Sequence, residues 1–419
     1  MASFVTHLEA ALDGTRLEAR VPQTLHPPGP QGRPLWVRYD LDAVRAAVDR
    51  DALARRPSGL WRYRELLPVD DDAAIVSLGE TTTPLLDCPR LAAAVGVRRL
   101  TVKDESRLPT GSFKARGMAL AISMAKQFGI TRVALPSAGN AGGAAAAYAA
   151  KAGMDCWVLM PDDAPVVNRL EAALFGAHVF VLDGLIDHCG AVVREGVERL
   201  GWFDLSTLKE PYRIEGKKTM GLELAEQLHW SLPDVIVYPT GGGTGLIGMA
   251  KAFDELRTLS WLQADAAVRF VSAQAAGCAP IATAYQRGER FAERTPEPVT
   301  AAAGLRVPAA VGDFMILDAV RRSGGVALTA DESCIHRWME AAGRLEGLSL
   351  CPESAVALGV LERALAAGHV APDEHVVLFN TGAAQKSLEV LEAGDRPQPR
   401  LCRANLDWSA LESAAPAPR

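Results

Sequence analysis

The alternation of short apolar segments with longer amphipathic ones constrains the fold of this chain more than any other feature of its sequence. From about residue 98 onward, short runs rich in Val, Ile and Leu alternate with stretches that have helical spacing. We predict strands over residues 99–103, 132–135, 156–160, 178–182, 234–238, 268–272 and 375–379. Continuous apolar strands separated by helices are typical of parallel sheets covered on both faces. The pattern therefore predicts an α/β fold with mainly parallel twisted sheets flanked by helices.

The helices expected between these strands show where functional residues should lie. Helical spacing predicts helices over residues 112–128, 141–151, 216–228, 244–256 and 353–366, and the Ala/Arg-rich segment 41–56 also has helical spacing. In parallel sheets, ligands bind at the carboxyl ends of the strands, in the loops that lead into helices. Four such loops carry residues of chemical interest.

Size and charge limit the classes of protein to which the chain can belong. Its 419 residues predict two compact lobes. The formal net charge of −6 leaves no basic excess to neutralise phosphates, which argues against a nucleic-acid partner. Seven cysteines are scattered without a C-x-x-C pair, and no apolar run is long enough to span a membrane. We therefore predict a reduced, soluble protein of the cytoplasm without disulfides, a metal site or a membrane segment.

The loop at residues 109–117 places a lysine at the start of a predicted helix. Its sequence is P-T-G-S-F-K-A-R-G, and Lys114 falls in the first helical turn. The positive end of a helix and partial burial both disfavour the ammonium form of a lysine and lower its pKa. Both effects favour the neutral amine that Schiff-base formation requires. A surface lysine at a helix start is the alternative interpretation, and the charge argument alone does not exclude it.

Three further loops contain groups that can bind a ligand. The N–H groups of residues 137–143, S-A-G-N-A-G-G, can converge on a carboxylate at a helix N-terminus, where Asn140 could cap the helix or bind a phenolic oxygen. The four glycines of residues 241–245, G-G-G-T-G, let the backbone approach a phosphate closely. Alone, that loop is also consistent with a dinucleotide site or a tight turn. After the last predicted strand, Thr381 could cap a helix or face a ring nitrogen.

Taken together and in order, these segments resemble the fold-type II pyridoxal-phosphate enzymes, the tryptophan synthase β family, over residues 78–386. P-T-G-S-F-K at 109–114 is similar to the Schiff-base motif of threonine synthases. G-E-T-T-T-P-L at 79–85 resembles the motif before the family's first strand, and S-T-L-K-E-P-Y-R-I-E-G-K-K-T at 206–219 is similar to a stretch of threonine synthases. The resemblance implies pyridoxal 5'-phosphate bound in a cleft between two lobes.

The resemblance also implies a role for each matching residue. Lys114, with Phe113 beside it, would form a Schiff base with the cofactor and then move protons as general base and acid. Asn140 would bind the phenolic oxygen of the cofactor, and Thr381 would face its pyridine nitrogen. The cofactor phosphate would be held by Gly241, Gly242, Gly243, Thr244 and Gly245. The substrate carboxylate would be bound by Ser137, Ala138, Gly139 and Asn140.

A second anion site, for a substrate phosphate, could use Thr81, Thr82, Thr83 and Lys217. Lys217 and Lys218 are otherwise expected on a solvated helix face.

The implied activity is that of a threonine synthase-like lyase, which converts O-phosphohomoserine to threonine and phosphate by β,γ-elimination and addition of water. Several positions depart from the threonine synthase pattern: Leu108 stands where Asn is usual, Ala115 where Asp is common and Thr81 where Gly is common. These departures keep two alternatives open. One is a β-eliminating ammonia-lyase or dehydratase acting on threonine, serine or diaminopropionate, and the other is a β-replacement enzyme. A dinucleotide-binding oxidoreductase is a third alternative, from a different class.

The same patterns suggest how the chain is divided. Prolines at positions 22, 27, 28, 30 and 34 predict an irregular arm over residues 1–35, within an N-terminal extension of residues 1–75. We expect a small lobe over residues 104–200, carrying Lys114 and Asn140. The large lobe would comprise residues 76–103 and 201–395, and residues 396–419 would form a tail. The resemblance further implies a homodimer.

Overall fold

The computed structural model describes residues 3–29 and 31–394 of the chain, which contain three β-sheets and the helices that cover them. The strands are β1 (Val5–Ala10), β2 (Arg16–Leu17), β3 (Leu35–Tyr39), β4 (Leu85–Asp87), β5 (Arg99–Asp104), β6 (Arg132–Pro136), β7 (Asp155–Pro161), β8 (His178–Leu182), β9 (Phe203–Asp204), β10 (Val235–Pro239), β11 (Arg269–Ala275), β12 (Val326–Ala330) and β13 (His375–Asn380).

The helices lie mainly between consecutive strands, as the sequence alternation predicts. They are α1 (Leu41–Ala47), α2 (Arg50–Ala54), α3 (Pro89–Val95), α4 (Lys114–Gln127), α5 (Asn140–Ala152), α6 (Val166–Leu174), α7 (Ile186–Leu200), α8 (Tyr212–Gln227), α9 (Thr244–Thr258), α10 (Pro280–Gln286), α11 (Asp313–Arg322), α12 (Cys334–Glu346), α13 (Pro352–Ala366) and α14 (Leu388–Glu392). In this part of the chain, no helix combines the length and apolar character needed to cross a membrane.

Two of the sheets are built from parallel strands, and they confirm the predicted α/β fold. The larger sheet has the order β12-β11-β10-β13-β5-β4, in which only β4 runs antiparallel to its neighbour. The smaller sheet has the order β8-β7-β6-β9 and is parallel throughout. Every residue of β10 is buried, as expected for a central strand covered on both faces. The loops that follow β6, β10 and β13 therefore leave the carboxyl ends of parallel strands.

The N-terminal segment corrects the prediction that residues 1–35 form an irregular arm. β1 pairs with β2 and β3 in an antiparallel sheet, in which Leu8 of β1 and Val37 of β3 are opposite each other and completely buried. The prolines lie between β2 and β3, so they interrupt only the connection and leave the alternating apolar residues of β1 free to pair. The segment predicted as helical at 41–56 is divided into α1 and α2, because Val48 is extended.

All seven predicted strands are present, whereas β4, β9 and β12 of the parallel sheets and the three strands of the N-terminal sheet were not predicted. Helix α8 begins at Tyr212 rather than at residue 216, because Pro211 stands at its start and the Glu210 carboxylate accepts the N–H groups of Tyr212 and Arg213. The division into lobes at residues 75, 104 and 200 stays a prediction. Residues 396–419 lie outside the described part of the chain.

A buried ionic cluster attaches the N-terminal sheet to the helices behind the larger parallel sheet. Glu215 of α8 lies 2.7 Å from the Lys218 amine, also binds Lys251 of α9, and accepts a 2.7 Å hydrogen bond from the Tyr39 hydroxyl of β3. Burial alone would raise the pKa of the Glu215 carboxyl, but Lys218 and Lys251 together hold it below its ordinary value. Glu215 is therefore the charge on which this attachment depends.

We expect Glu215→Gln to lower the free energy of unfolding by about 3–5 kcal/mol, because it leaves two buried ammonium groups with too little negative charge. Urea unfolding followed by fluorescence measures the change. Glu198→Gln, on the exposed face of α7, is the control and should change stability by less than about 0.5 kcal/mol. Equal stability of the two variants would contradict the role assigned to Glu215.

Candidate active site

A cavity of about 360 Å³ lies where the loops of the two parallel sheets meet. Its wall includes Phe113 and Lys114, the loop after β6, the glycine loop after β10, and Thr381 after β13. The structure thus brings together every residue predicted for the cofactor site. It also places Ser137, Ala138, Gly139 and Asn140 there. Segments distant in sequence converge because the carboxyl ends of parallel strands share one edge of a sheet.

Lys114 is the first residue of α4, and its amine lies 4.0 Å from the centroid of the Phe113 ring. Burial, followed by the positive charge of Arg213, lowers the pKa of the Lys114 amine to about 8, although Glu353 and Cys351 act in the opposite direction. The alternative interpretation of Lys114 as a surface lysine is therefore wrong. At pH 7 roughly a tenth of this amine is therefore uncharged and able to act as a nucleophile, far more than for an ordinary lysine.

Asn140 does not cap the helix that it begins. The capping acceptor is Ser137, whose hydroxyl oxygen accepts a 2.9 Å hydrogen bond from the Gly142 N–H. The side-chain oxygen of Asn140 is buried, and no partner for it lies among the described residues. An amide whose hydrogen-bonding capacity is unused at the wall of a cavity indicates a site for a polar ligand.

The glycine loop forms an anion site at the start of α9. Gly243 adopts φ 71°, and α9 then begins at Thr244 without a side-chain cap among the described residues. A β-carbon at Gly243 would lie 2.2 Å from the Ile316 side chain, so the loop has no room for a larger residue. The first N–H groups of an uncapped helix carry partial positive charge and suit a phosphate.

Thr381 is joined to the lysine loop through the backbone. Its carbonyl accepts a 3.0 Å hydrogen bond from the Phe113 N–H, and its own N–H donates to the Ser354 hydroxyl over 3.1 Å. The Thr381 hydroxyl lies 3.5 Å from the Cys351 sulfur. Thr381 follows β13 and begins no helix, so it is not a helix cap, and it is free to present a hydroxyl to a ligand.

Two predictions about the second anion site need correction. Thr83 is completely buried away from the cavity, where its hydroxyl donates to Glu105 over 2.7 Å. Thr83 therefore does not line the predicted substrate site, because it belongs to an ionic network that also contains Arg116. Lys217 and Lys218 are not on a solvated face, since both are completely buried. Helix α8 packs between α4 and α9, which leaves no exposed face at these positions.

The structure adds basic residues to the cavity wall that sequence reasoning did not assign. They are Arg194, Lys209, Arg213, Arg294, Arg306 and Lys386. Arg306 and Arg294 are paired with Asp163 and Asp187 at 2.8 and 2.7 Å, whereas buried Arg213 has no ion pair with any described carboxylate. Its Nε has no hydrogen-bond partner there either. Arg213 lies within the motif 206–219, so its position in that motif was the available signal.

These groups fit pyridoxal 5'-phosphate. The uncapped start of α9 suits a phosphate, the unpaired Asn140 amide suits a phenolic oxygen, and the Lys114 amine suits an aldehyde carbon. Thr381 offers a neutral hydroxyl rather than a carboxylate, which suits an unprotonated ring nitrogen.

Comparisons with known proteins agree with this site. A family model described as pyridoxal-phosphate dependent enzyme matches residues 76–382, so the chain belongs to this family and is a pyridoxal-phosphate enzyme. Its relatives include the threonine synthase of Methanocaldococcus jannaschii, 32% identical over 374 residues, which are 89% of this chain and 92% of the relative. The threonine synthase of Methanosarcina acetivorans is 34% identical over 375 residues, with 89% and 90% covered. The resemblance found in the sequence is confirmed.

Solved structures confirm the fold. Maize serine racemase superposes with a TM-score of 0.63 at 22% identity, covering 78% of this chain and 95% of that one. Threonine deaminase isoform 2 of Solanum lycopersicum gives a TM-score of 0.63 at 19% identity, covering 81% and 96%. At these identities the likeness concerns the arrangement of the backbone.

We expect the rate of pyridoxal-phosphate uptake to rise with pH through a midpoint of about 8. The pKa of Lys114 is lowered to that value, so the amine is uncharged and reactive above it and an unreactive ammonium below it. Growth of the visible Schiff-base band after mixing measures the rate. Lys114→Ala should give no band and no borohydride-stable adduct; a labelled peptide that does not contain residue 114 would contradict the assignment.

We expect Gly243→Ala to weaken cofactor binding by at least about tenfold, because the new methyl group meets Ile316 and the backbone must leave φ 71°. Equilibrium titration with pyridoxal phosphate measures the affinity. Gly288→Ala is a matched control, since Gly288 has φ 72° but open space around it. If the two variants bind the cofactor equally well, the close fit of the glycine loop has no role in binding.

Proposed function

We propose that this enzyme is a threonine synthase that converts O-phosphohomoserine and water to threonine and inorganic phosphate. The observation that carries the proposal is Arg213 in the cavity wall, which is buried and has no ion pair with any described carboxylate. Four other basic residues of the wall are paired with carboxylates, which are Asp204 for Lys209, Glu171 for Lys386, Asp187 for Arg294 and Asp163 for Arg306. A substrate with both a carboxylate and a phosphate needs more positive charge than serine or threonine does.

The chain's own groups then have distinct tasks. Gly241, Gly242, Gly243, Thr244 and Gly245 hold the cofactor phosphate. Asn140 and Thr381 bind the two ends of the cofactor ring, and bound pyridoxal phosphate stabilises the negative charge that develops when protons leave the substrate carbons. The free N–H groups at the start of α5, beside Ala138 and Gly139, bind the substrate carboxylate.

Lys114 moves the protons. With a pKa of about 8 it can take a proton as an amine and return it as an ammonium within one catalytic cycle. Elimination breaks the bond between Cγ and the phosphate oxygen, and water then adds its oxygen at Cβ. Arg213 stabilises the phosphate as it leaves, because a buried guanidinium without a carboxylate partner is available to a dianion.

Compartment and assembly are part of the proposal. All six cysteines of the described residues are free thiols, which supports a reducing compartment such as the cytoplasm. A small-molecule amino acid is the proposed substrate, and a homodimer stays a prediction.

We expect the holoenzyme to release phosphate and form threonine from O-phosphohomoserine in equal amounts. Arg213→Met should raise the KM for this substrate by about 10–100-fold, as expected for loss of a hydrogen bond to a charged group. The assay is run well above pH 8, where Lys114 is uncharged whether or not Arg213 is present.

Arg257→Met, on the outer end of α9, is the control and should leave KM unchanged. Release of ammonia and a keto acid from serine, threonine or diaminopropionate, without phosphate release from O-phosphohomoserine, would replace this proposal with a β-eliminating ammonia-lyase. An unchanged KM in Arg213→Met would remove Arg213 from the substrate site.

A further inference from the structure

Lys217 differs from the other buried lysines behind the active site. Three of these have a carboxylate within ion-pair distance: Lys103 with Glu223 at 3.1 Å, Lys218 with Glu215 at 2.7 Å and Lys251 with Glu255 at 3.3 Å. Lys217 is completely buried and has no such partner among the described residues. An unpaired buried charge is costly, so a buried lysine without an acid is retained for a reason other than stability.

The Lys217 amine contacts the segment that carries Lys114. Its amine donates a hydrogen bond to the Phe113 carbonyl and lies 4.1 Å from the centroid of the Phe113 ring. The Lys114 amine lies 4.0 Å from the centroid of the same ring. Space for Lys217 exists because residue 117 is glycine, where a β-carbon would lie 3.0 Å from the Lys217 side chain.

The charges around Lys217 oppose a positive charge on its own amine. Burial, then Lys114 on α4 and Arg213 one turn earlier on α8, hold the pKa of Lys217 well below its ordinary value, and Arg116 acts in the same direction. Glu105 favours the charged form, but its carboxylate is bound to Arg116 at 2.6 Å. Complete burial, the lack of a carboxylate partner among the described residues and the neighbouring cations therefore all favour an uncharged amine, which donates its hydrogen bond to the Phe113 carbonyl.

We propose that Lys217 is a positioning residue for Lys114: an uncharged amine that holds the Phe113 carbonyl and ring and thereby fixes the first turn of α4. The inference rests on the proposed role of Lys114 as the lysine that binds the cofactor. This role suits a lysine, whose amine can lose its charge when buried. A permanent cation such as arginine would add a further positive charge to the site.

Four variants separate position from charge. Lys217→Gln keeps a neutral donor, Lys217→Met removes the donor, and Lys217→Arg adds a permanent charge. Lys218→Arg is the matched control, because Lys218 is equally buried but lies between Glu215 and Glu255, which compensate its charge. The readout is the rate at which each cofactor-free protein forms the visible Schiff-base band with pyridoxal phosphate, measured across pH.

We expect Lys217→Arg to move the pH midpoint of uptake down by about one unit or more, because an added cation lowers the pKa of Lys114. Lys217→Gln and Lys218→Arg should keep the wild-type midpoint. Lys217→Met should also keep the midpoint but slow uptake about tenfold at every pH, since the Phe113 carbonyl loses its donor.

A midpoint raised in Lys217→Gln would mean that Lys217 is charged in the native protein, which overturns the proposal. A wild-type rate of uptake in Lys217→Met would equally overturn it. If Lys217→Arg does not fold, Lys217→Met and Lys217→Gln are sufficient to test the proposal. Threonine formation does not enter the measurement. A protein that loads the cofactor on Lys114 but releases no phosphate from O-phosphohomoserine would disprove the proposed substrate and leave this inference standing.

Discussion

The site depends on a lowered pKa for one amine, that of Lys114, inside a cavity lined with basic residues. Cofactor and substrate bring phosphate and carboxylate groups, so the wall must carry positive charge, and here it contains six basic residues besides Lys114. Positive charge at the wall also lowers the pKa of Lys114. Arg213 is the largest charge effect on Lys114, and it lowers the pKa of that amine in addition to the effect of burial. Arg213 can therefore attract an anionic ligand and also lower the pKa of the nucleophile, and it lies one turn before Lys217 on α8.

The packing of α8 explains how so many charged groups can be buried without loss of the fold. This helix lies between α4 and α9, and fourteen of its residues are buried, including Arg213, Glu215, Lys217 and Lys218. Most of these charges are compensated within clusters: Glu215 with two lysines on one side, and Glu223 with Arg116 and Lys103 on the other. Paired charges hold the helix in register against its neighbours. Two are left without an ion pair among the described residues: Arg213, which lines the cavity, and Lys217, which donates to the Phe113 carbonyl.

Much of the fold and the ligand-binding loops can be predicted from the sequence, because the features concerned are local. Apolar runs identify the seven main strands, and glycines with a following helix identify the anion sites after β6 and β10. Whether a charged residue is buried depends instead on contacts with segments that are distant in sequence. The segment R-I-E-G-K-K reads as polar, and only contact with helices on both sides makes it interior. For the same reason, Thr83 was expected near the substrate although it belongs to a network beneath it. The sequence did not predict β1, because its alternating pattern is short and the prolines that follow indicated an irregular segment. Its pairing partner β3 also comes only after a long connection.

The backbone link between the Lys114 and Thr381 segments has a mechanical consequence. Besides the Phe113–Thr381 hydrogen bond, the Ala383 N–H donates to the Gly111 carbonyl over 3.0 Å, and Ser112 and Gly382 form an antiparallel bridge. The two segments thus behave as one rigid piece attached to β5 and β13, which are themselves neighbours in the larger sheet. The loop after β6 belongs to the other sheet and shares none of these bonds. On the proposed function, the Lys114 amine and the Thr381 hydroxyl would keep their separation when a ligand enters or leaves, and any change would fall between that piece and the loop after β6. The alignment of Lys114 with Thr381 is in this way independent of the position of the loop after β6.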